Sequence, residues 1–395
     1  MAFDSFSMIR ITCPRGMGET LAGELVELGK QPESVNNSFV DVQGTLDDAM
    51  QLNLYLRTGV NVLYQIAEFP CSSPDELYRN VCDVQWEDWL TADGYFTVTS
   101  RAEHPSIDNV IYVNHRVKDG VVDRMIERFG RRPNSGAERD GFVLHVVWLG
   151  ETAELFINTS GRKLSDRGYR RIPHTAPMSE TLAAGVVLAT GYDGNGAFVN
   201  PMCGSGTLAI EAALIASGRP PGLLRSKYGF MHVKGFNEET WRVMRIEAKK
   251  VRSKVEPGPI IASDIDPRAI EAAQRNAETA GVHRMISFHV CDFEKTPMPE
   301  EHGVVILNPE YGLRMGEVRA LEETYKRIGD FFKQKCKGST GYVFTGNLDL
   351  AKKVGLQTKR RMVFFNAKIE CRLLKYELYE GTRKKPKDGA EPTAE

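Results

Sequence analysis

Hydrophobic and polar positions change their period part-way along this chain. Up to about residue 160, short alternating runs are interleaved with segments of helical period. Met8–Thr12, Ser38–Val42, Val60–Phe69, Tyr95–Ser100 and Phe142–Leu149 alternate as half-buried strands do, and Glu154–Asn158 returns against the last of them through Gly150. Gly18–Leu28 (closed by Gly29), Thr45–Leu56, the stretch opened by Ser73-Pro74-Asp75-Glu76, and Asn114–Phe129 carry their apolar residues at helical spacing. This predicts a mixed α+β module. From about Thr181, helix and strand patterns alternate, with apolar runs at Gly196–Asn200, Pro259–Ser263, Ile286–Val290, Gly303–Leu307 and Gly341–Thr345. That order predicts a parallel α/β sheet. Met362–Tyr379 reads as a terminal hairpin, and the polar, proline-containing end 383–395 as a disordered tail.

The chemistry-bearing residues fall just after the strands. The first apolar run leads into Asn200-Pro201-Met202-Cys203-Gly204-Ser205-Gly206-Thr207 and then a helix. Two glycines one residue apart let backbone turn sharply and approach a ligand at a helix N-terminus. The second run ends in Asp264-Ile265-Asp266-Pro267. Asp266-Pro267 suits a helix cap, which leaves Asp264 placed to accept ribose hydroxyls. Asp264 lies 58 residues beyond Gly206, so Pro220–Lys254 reads as an insertion. The spacing, with Ala209 as third small residue, would tolerate a nicotinamide dinucleotide, but the displaced acid disfavours one. The third run ends in Asp292-Phe293, an acceptor for an adenine amine and a ring to flank it, or else an ordinary turn.

The fourth run ends in Asn308-Pro309-Glu310-Tyr311. An exocyclic amine of a nucleobase is a poor nucleophile because its lone pair is delocalised into the ring. An Asn oxygen and the Pro309 carbonyl can accept both of its N–H bonds, while the aromatic ring stacks on an extruded base. Asn-Pro is also a common way to leave a strand. Taken as a series, the four strand ends fit S-adenosylmethionine followed by an amine-bearing base.

Composition adds limits. Hydrophobic residues at 42% and charged residues at 26% are ordinary for a globular protein. No apolar run approaches the ~18 residues that span a bilayer, and no signal peptide is read at the N-terminus. Seven scattered cysteines without a CxxC pair argue for a reducing cytoplasm and against a zinc site, and the eight histidines form no ligand cluster, so no metal is expected. The net charge of −1 conceals basic stripes, with five cations against one acid in Arg162–Arg171 and eight against one in Lys352–Lys375. Such stripes suit a polyanion on one face, or are simply solvated.

The strings FVNPMCGSGTLAIEAALIA, SDIDPRAIEAAQRNAETAG, LNPEYGLRMGE and NTSGRKLSDRGYRR resemble the RlmL-type bacterial RNA methyltransferases. The resemblance covers nearly the whole chain and is specific over residues 158–312. It implies a Rossmann-like, seven-stranded class I methyltransferase domain (181–382) preceded by an α+β THUMP-containing RNA-binding module. That module comprises a ferredoxin-like part (1–65), a THUMP domain (45–160, overlapping) and a linker (161–180). It implies methylation of a guanosine N2 with S-adenosyl-L-methionine, with RNA, above all large-subunit rRNA, as partner. By position, Asn200, Cys203, Gly204, Gly206, Thr207, Asp264, Asp292, Phe293 and Asn308 would hold the cofactor. Asn308, Pro309 and Tyr311 would hold the base. Arg167, Tyr169, Arg170, Arg171, Lys359, Arg360 and Arg361 would face RNA. One departure stands out: Glu310 replaces the second proline of the family's Asn-Pro-Pro-Tyr. It could point to solvent, accept the guanine N1–H, or mark an impaired site. An adenine-N6 enzyme, a tRNA guanine-N2 enzyme and a catalytically silent RNA-binding or ribosome-assembly factor remain as alternatives.

Overall fold

The computed structural model describes residues 2–172, 178–252, 256–312 and 315–379, so the tail 383–395 lies outside the described residues. Its first half runs β1 (Ser7–Thr12), α1 (Gly18–Glu27), β2 (Pro32–Val35), β3 (Phe39–Gly44), α2 (Leu46–Tyr55), β4 (Asn61–Pro70), α3 (Pro74–Asp83), β5 (Tyr95–Glu103), α4 (Val110–Phe129), β6 (Asn134–Ser135), β7 (Phe142–Leu149) and β8 (Thr152–Asn158). These strands form one eight-stranded sheet in the order β2-β3-β1-β4-β8-β7-β5-β6. The long strand β4 joins its two halves, since Asn61–Tyr64 pair with β1 while residues 63–70 pair with β8. Local sequence sets the helix ends: Thr45 caps α2 in a reciprocal box with Asp48, and Ser73 caps α3 with Pro74 in its first turn. β2 has no counterpart in the sequence pattern because Pro-Glu-Ser-Val lacks apolar alternation. It is an edge strand, where polar side chains are at home.

The second half contains α5 (Glu180–Ala189), β9 (Ala197–Pro201), α6 (Thr207–Ala216), α7 (Glu238–Lys250), β10 (Ile260–Asp264), α8 (Pro267–Ala280), β11 (Ile286–Val290), β12 (Gly303–Leu307), α9 (Met315–Lys335), β13 (Thr340–Thr345), α10 (Leu348–Lys352), β14 (Arg360–Asn366) and β15 (Ile369–Glu377). Its seven-stranded sheet has the order β11-β10-β9-β12-β13-β15-β14. The first five strands are parallel, and the hairpin β14–β15 adds antiparallel to β13. The seven-stranded α/β architecture expected from the sequence is therefore present. The order in which strands are added reverses between the parallel neighbours β9 and β12, so crossovers leave them towards opposite sides and open a crevice at their carboxyl ends.

The two halves are locked by the segments that join them. The insertion after Pro220 folds into two 3-10 turns and α7, and it lies against the first sheet. A Cβ at Gly229 would stand 2.2 Å from the Asn158 carbonyl oxygen, so only glycine permits this approach. Phe230 N–H donates to the Thr159 carbonyl and Lys234 N–H to that of Trp89. α5 meets α1, with Met17 seated over Gly185. No helix among the described residues is long and apolar enough to cross a membrane.

Candidate functional site

After β9 the chain turns through three left-handed residues, Met202 (φ 59°), Gly204 (φ 54°) and Gly206 (φ 82°). Gly206 is compulsory, because a Cβ there would lie 2.8 Å from the Ala273 Cβ on α8. Gly204 differs: no atom lies within 4 Å of the Cβ it lacks, so the loop opens onto free space there. At the end of β10, Asp264 accepts the Gly204 N–H at 2.9 Å through Oδ2 and the Asp266 N–H at 3.0 Å through Oδ1. Each oxygen retains a further lone pair. Asp266 caps α8 through the Arg268 N–H. Asn200 is fully buried; its Nδ2 ties β9 to β12 through the Ile306 carbonyl at 2.9 Å, and its Oδ1 has no partner among the described residues. Burial raises the Cys203 thiol well above its ordinary range, which keeps it neutral and unsuited to nucleophilic attack. Thr207, in the first turn of α6, accepts from Arg170 at 3.3 Å. A strand-end loop with an open glycine, a fixed acid and a spare buried acceptor fits a ligand that carries ribose hydroxyls and amines.

Asp292 sits next along the crevice, at the end of β11. Burial works to raise its carboxyl, but the Arg327 guanidinium at 2.8 Å and the Glu294 N–H outweigh that and hold it below the usual carboxylate range. Phe293 departs from expectation. It is 5% exposed, meets Phe331 edge-on, and has the Arg327 guanidinium 4.8 Å above its ring. Its ring belongs to the core behind the crevice, so it is not free to flank a purine.

β12 delivers Asn308, Pro309, Glu310 and Tyr311 beside this loop. The Tyr311 hydroxyl donates to Asn308 Oδ1 at 2.9 Å, the very oxygen expected to receive a base amine. The backbone of the tetrapeptide is gripped from two other elements. Tyr325 on α9 donates to the Glu310 carbonyl at 3.2 Å, and Asn347 after β13 donates to the Tyr311 carbonyl at 3.0 Å. Pro309 is buried, while the Glu310 side chain is exposed, in keeping with the solvent-facing reading. Tyr311 lies against Gly346, where any Cβ would stand 3.0 Å from its ring. Burial, then Cys371, raises the Tyr311 phenol far above its ordinary range, so it acts as a neutral donor.

The residues expected to face RNA divide. Arg171 is exposed, as are Lys359, Arg360 and Arg361 at and just before the edge strand β14. Arg167 and Tyr169 are only 1% exposed each, and an outward RNA-facing role for them is corrected by this placement. Arg167 pairs with buried Glu211 on α6 at 3.2 Å and donates to the Arg57 carbonyl at 2.6 Å, while the Tyr169 hydroxyl donates to Glu211 at 2.9 Å. Arg170 is mostly buried and pairs with Glu180 at 3.4 Å. Of the arginines on the first module, Arg124 and Arg128 share Glu87, Arg131 pairs with Asp93 and Arg101 with Glu103. Among the described residues, no group of three or more His, Cys, Asp or Glu side chains could hold a metal ion.

This geometry has counterparts among known proteins. Residues 9–63 match the RlmL ferredoxin-like domain, residues 71–158 the THUMP domain, and residues 167–375 the RMKL-like methyltransferase domain. The chain belongs to the RMKL-like methyltransferase family. The resemblance read from its motifs is thereby borne out. It is 38% identical over 379 residues to a ribosomal RNA large subunit methyltransferase K/L of Syntrophotalea carbinolica, a match covering 93% of this chain and 53% of that protein. The chain thus spans about half the length of the curated relatives it matches. A protein from Listeria monocytogenes, described as a predicted N6-adenine-specific DNA methylase, is 30% identical with a TM-score of 0.86, covering 95% of this chain and 97% of that one. A candidate methyltransferase solved with SAH is 26% identical with a TM-score of 0.85, over 95% and 99% of the two chains.

Four residues of the candidate site have no local motif that would announce them. Arg327, Tyr325 and Asn347 come from α9 and the turn before α10, distant in sequence from what they hold. Asn276 on α8 is 1% exposed and accepts the Arg171 N–H at 2.9 Å while donating to the Ser205 carbonyl at 3.2 Å. An asparagine on the alanine-rich, inward face of α8 was the available signal.

Proposed function

We propose that this chain transfers a methyl group from S-adenosylmethionine to the exocyclic N2 amine of a guanosine in RNA, with large-subunit ribosomal RNA as the substrate. The observation that carries the reading is the meeting of three features at the carboxyl ends of adjacent strands. These are the open Gly204 loop after β9, the fixed Asp264 after β10, and Asn308 with Tyr311 after β12. The family match and the K/L methyltransferase relatives support it, as does the similar fold solved with SAH. A ribosomal RNA substrate puts the work in the cytoplasm.

Asp264 would hold the ribose through the lone pairs its two backbone N–H bonds leave free, and Gly204 would admit the ligand against the loop. When bound, S-adenosylmethionine supplies an electrophilic methyl group on a cationic sulfur. Asn308 Oδ1 accepts one amine N–H and the Pro309 carbonyl the other, which localises the nitrogen lone pair and aims it. Tyr311 yields its hydrogen bond to Asn308 as the base enters and offers its ring for stacking. Asn347 and Tyr325 hold the loop backbone, so catalysis rests on orientation and fixed dipoles. Glu310, being exposed, is assigned no step.

The test is transfer of tritiated methyl groups from S-adenosylmethionine to unmodified bacterial RNA, followed by nucleoside analysis. N2-methylguanosine in the large-subunit fraction is expected. The Listeria relative's description favours adenine-N6 as the second reading. N6-methyladenosine in the product would establish that one instead, and cofactor and RNA binding without transfer would make the chain a binding factor.

A further inference from the structure

A cleft of about 340 Å³ lies where the THUMP domain, the joining segment and the insertion meet. Six cations line it (Arg139, Arg162, Arg167, Arg171, Arg225 and Lys227) against two carboxylates, Asp140 and Asp166. Asp140 is shared, with Arg162 at 2.6 Å and Lys227 at 3.3 Å, so one acid serves two cations. The Arg225 guanidinium, 8% exposed, donates to the carbonyls of Ser160 and Arg162, each at 3.1 Å, rather than to a carboxylate. Arg167 is 1% exposed and already paired with Glu211 at 3.2 Å, so it backs the cleft wall and is not counted among the free cations. With Glu211 counted against Arg167, six cations face three carboxylates, so positive charge at the cleft exceeds what the protein neutralises. That excess is costly unless an anion completes it.

We propose that this cleft seats a phosphate of the RNA backbone, at which the strand passes from the THUMP domain to the methyltransferase domain. The inference rests on the reading of the chain as an RNA methyltransferase and names where its substrate is gripped. Its cations come from all three parts: Arg139 from the THUMP side, Arg162 and Arg171 from the joining segment, and Lys227 from the insertion. The floor of the cleft is tied to the cofactor loop, because Asn276 bonds both the Arg171 N–H and the Ser205 carbonyl. A strand held here is registered against the loop that would hold the methyl donor.

The test uses the full chain and a labelled single-stranded oligoribonucleotide, with binding measured across a salt series. Arg139→Glu combined with Lys227→Glu changes two exposed residues and leaves the core alone. Affinity is expected to fall at least about tenfold, and the log–log salt slope by about 0.7, the change for one phosphate that is no longer neutralised. The charge-conserving pair Arg139→Lys with Lys227→Arg should bind as the parent does. The same charge change on the outer face of α9, Lys326→Glu with Lys333→Glu, should have little effect. Equal losses at both places, or an unchanged slope in the cleft variant, would overturn the proposal, as would displacement of RNA by low-millimolar inorganic phosphate, which would make it a free-anion site. Binding of S-adenosylhomocysteine and methyl transfer are measured in parallel. A parent that binds RNA through the cleft without transferring methyl refutes the methyltransferase reading alone. A cleft variant that binds RNA normally, with the parent active, refutes the cleft alone.

Discussion

Replacing Asn308 by alanine separates two things that one oxygen does. In the free protein Asn308 Oδ1 accepts the Tyr311 hydroxyl at 2.9 Å, a half-buried neutral hydrogen bond worth about 0.5–1.5 kcal/mol. In the proposed reaction the same oxygen aims the amine, and removing one preorganised group of that kind costs about 10²–10³ in rate, or about 2.7–4 kcal/mol. Tyr311→Phe breaks the same hydrogen bond from the other side, yet leaves the Asn308 oxygen and the stacking ring in place. Asn308→Ala should therefore lower kcat at least about 100-fold, whereas Tyr311→Phe should stay within about tenfold of the parent. Tyr311→Ala should chiefly raise KM for RNA, since stacking one base contributes about 1–3 kcal/mol. The assay is methyl transfer at saturating cofactor, with urea unfolding confirming that each variant keeps its fold. If Tyr311→Phe lost as much rate as Asn308→Ala, the acceptor role of Asn308 would be wrong and the hydroxyl itself would be the working group.

The two glycines of the cofactor loop should part company. Gly204→Ala points its methyl into open space and should cost folding only about 1–2 kcal/mol, while weakening calorimetric binding of S-adenosylhomocysteine about tenfold or more. Gly206→Ala sets its methyl 2.8 Å from Ala273 and should destabilise by about 2–4 kcal/mol; equal effects of the two on unfolding would undo the distinction. Glu211→Ala strands the buried Arg167 charge and should cost about 3–5 kcal/mol in urea unfolding. Arg167→Met with Glu211→Leu should restore most of that, and a double variant as unstable as the single would show that the pair contributes net stability. Burial raises the Glu180 carboxyl from 4.5 to about 7, against the pull of Arg170. A carboxyl raised on folding favours the native state fully below pH 4.5, and that contribution, at most about 3 kcal/mol, is lost as the pH rises to about 7. Glu180→Gln should flatten the stability profile over that window; an unaltered slope from pH 5 to 7 would rule Glu180 out as its source.

What could be read from the sequence was what short-range chemistry decides. Asp266-Pro267 announces a helix start whatever surrounds it, so Asp264 is left over as the residue needing another purpose, and it does grip the Gly204 loop. The strand ends were legible because an apolar run must stop where its neighbours stop covering it. The joining segment was not. Arg167-Gly168-Tyr169-Arg170-Arg171 has the composition of a nucleic-acid contact, and nothing local shows that two of these side chains turn inward. The deciding partner is Glu211, in a helix (Thr-Leu-Ala-Ile-Glu-Ala-Ala-Leu-Ile-Ala) whose every residue is buried. A lone acid in such a helix demands a cation from elsewhere, and the basic segment was the nearest supply. Asp292 was placed on the crevice, but its partner Arg327 lies 35 residues further along the chain, and only the fold brings the two together.

The cost of that buried arrangement bears on what it is for. Arg167, Arg170, Glu180 and Glu211 lie where the first sheet, the joining segment and α5–α6 converge, and Glu24 nearby accepts the Arg57 and Thr58 N–H groups. Packed hydrophobic residues would hold such a junction at least as firmly, because desolvating the charges consumes most of their attraction. Hydrophobic contacts, however, tolerate sliding and rotation. Here Glu211 must meet both Arg167 and Tyr169, and Arg167 must also reach the Arg57 carbonyl, so few relative positions of the parts make all three contacts at once. For an enzyme whose RNA would be held on one domain and methylated on another, a fixed offset between the two selects which nucleotide can reach Asn308. On the proposed function, rigidity at this junction would serve substrate selection more than stability.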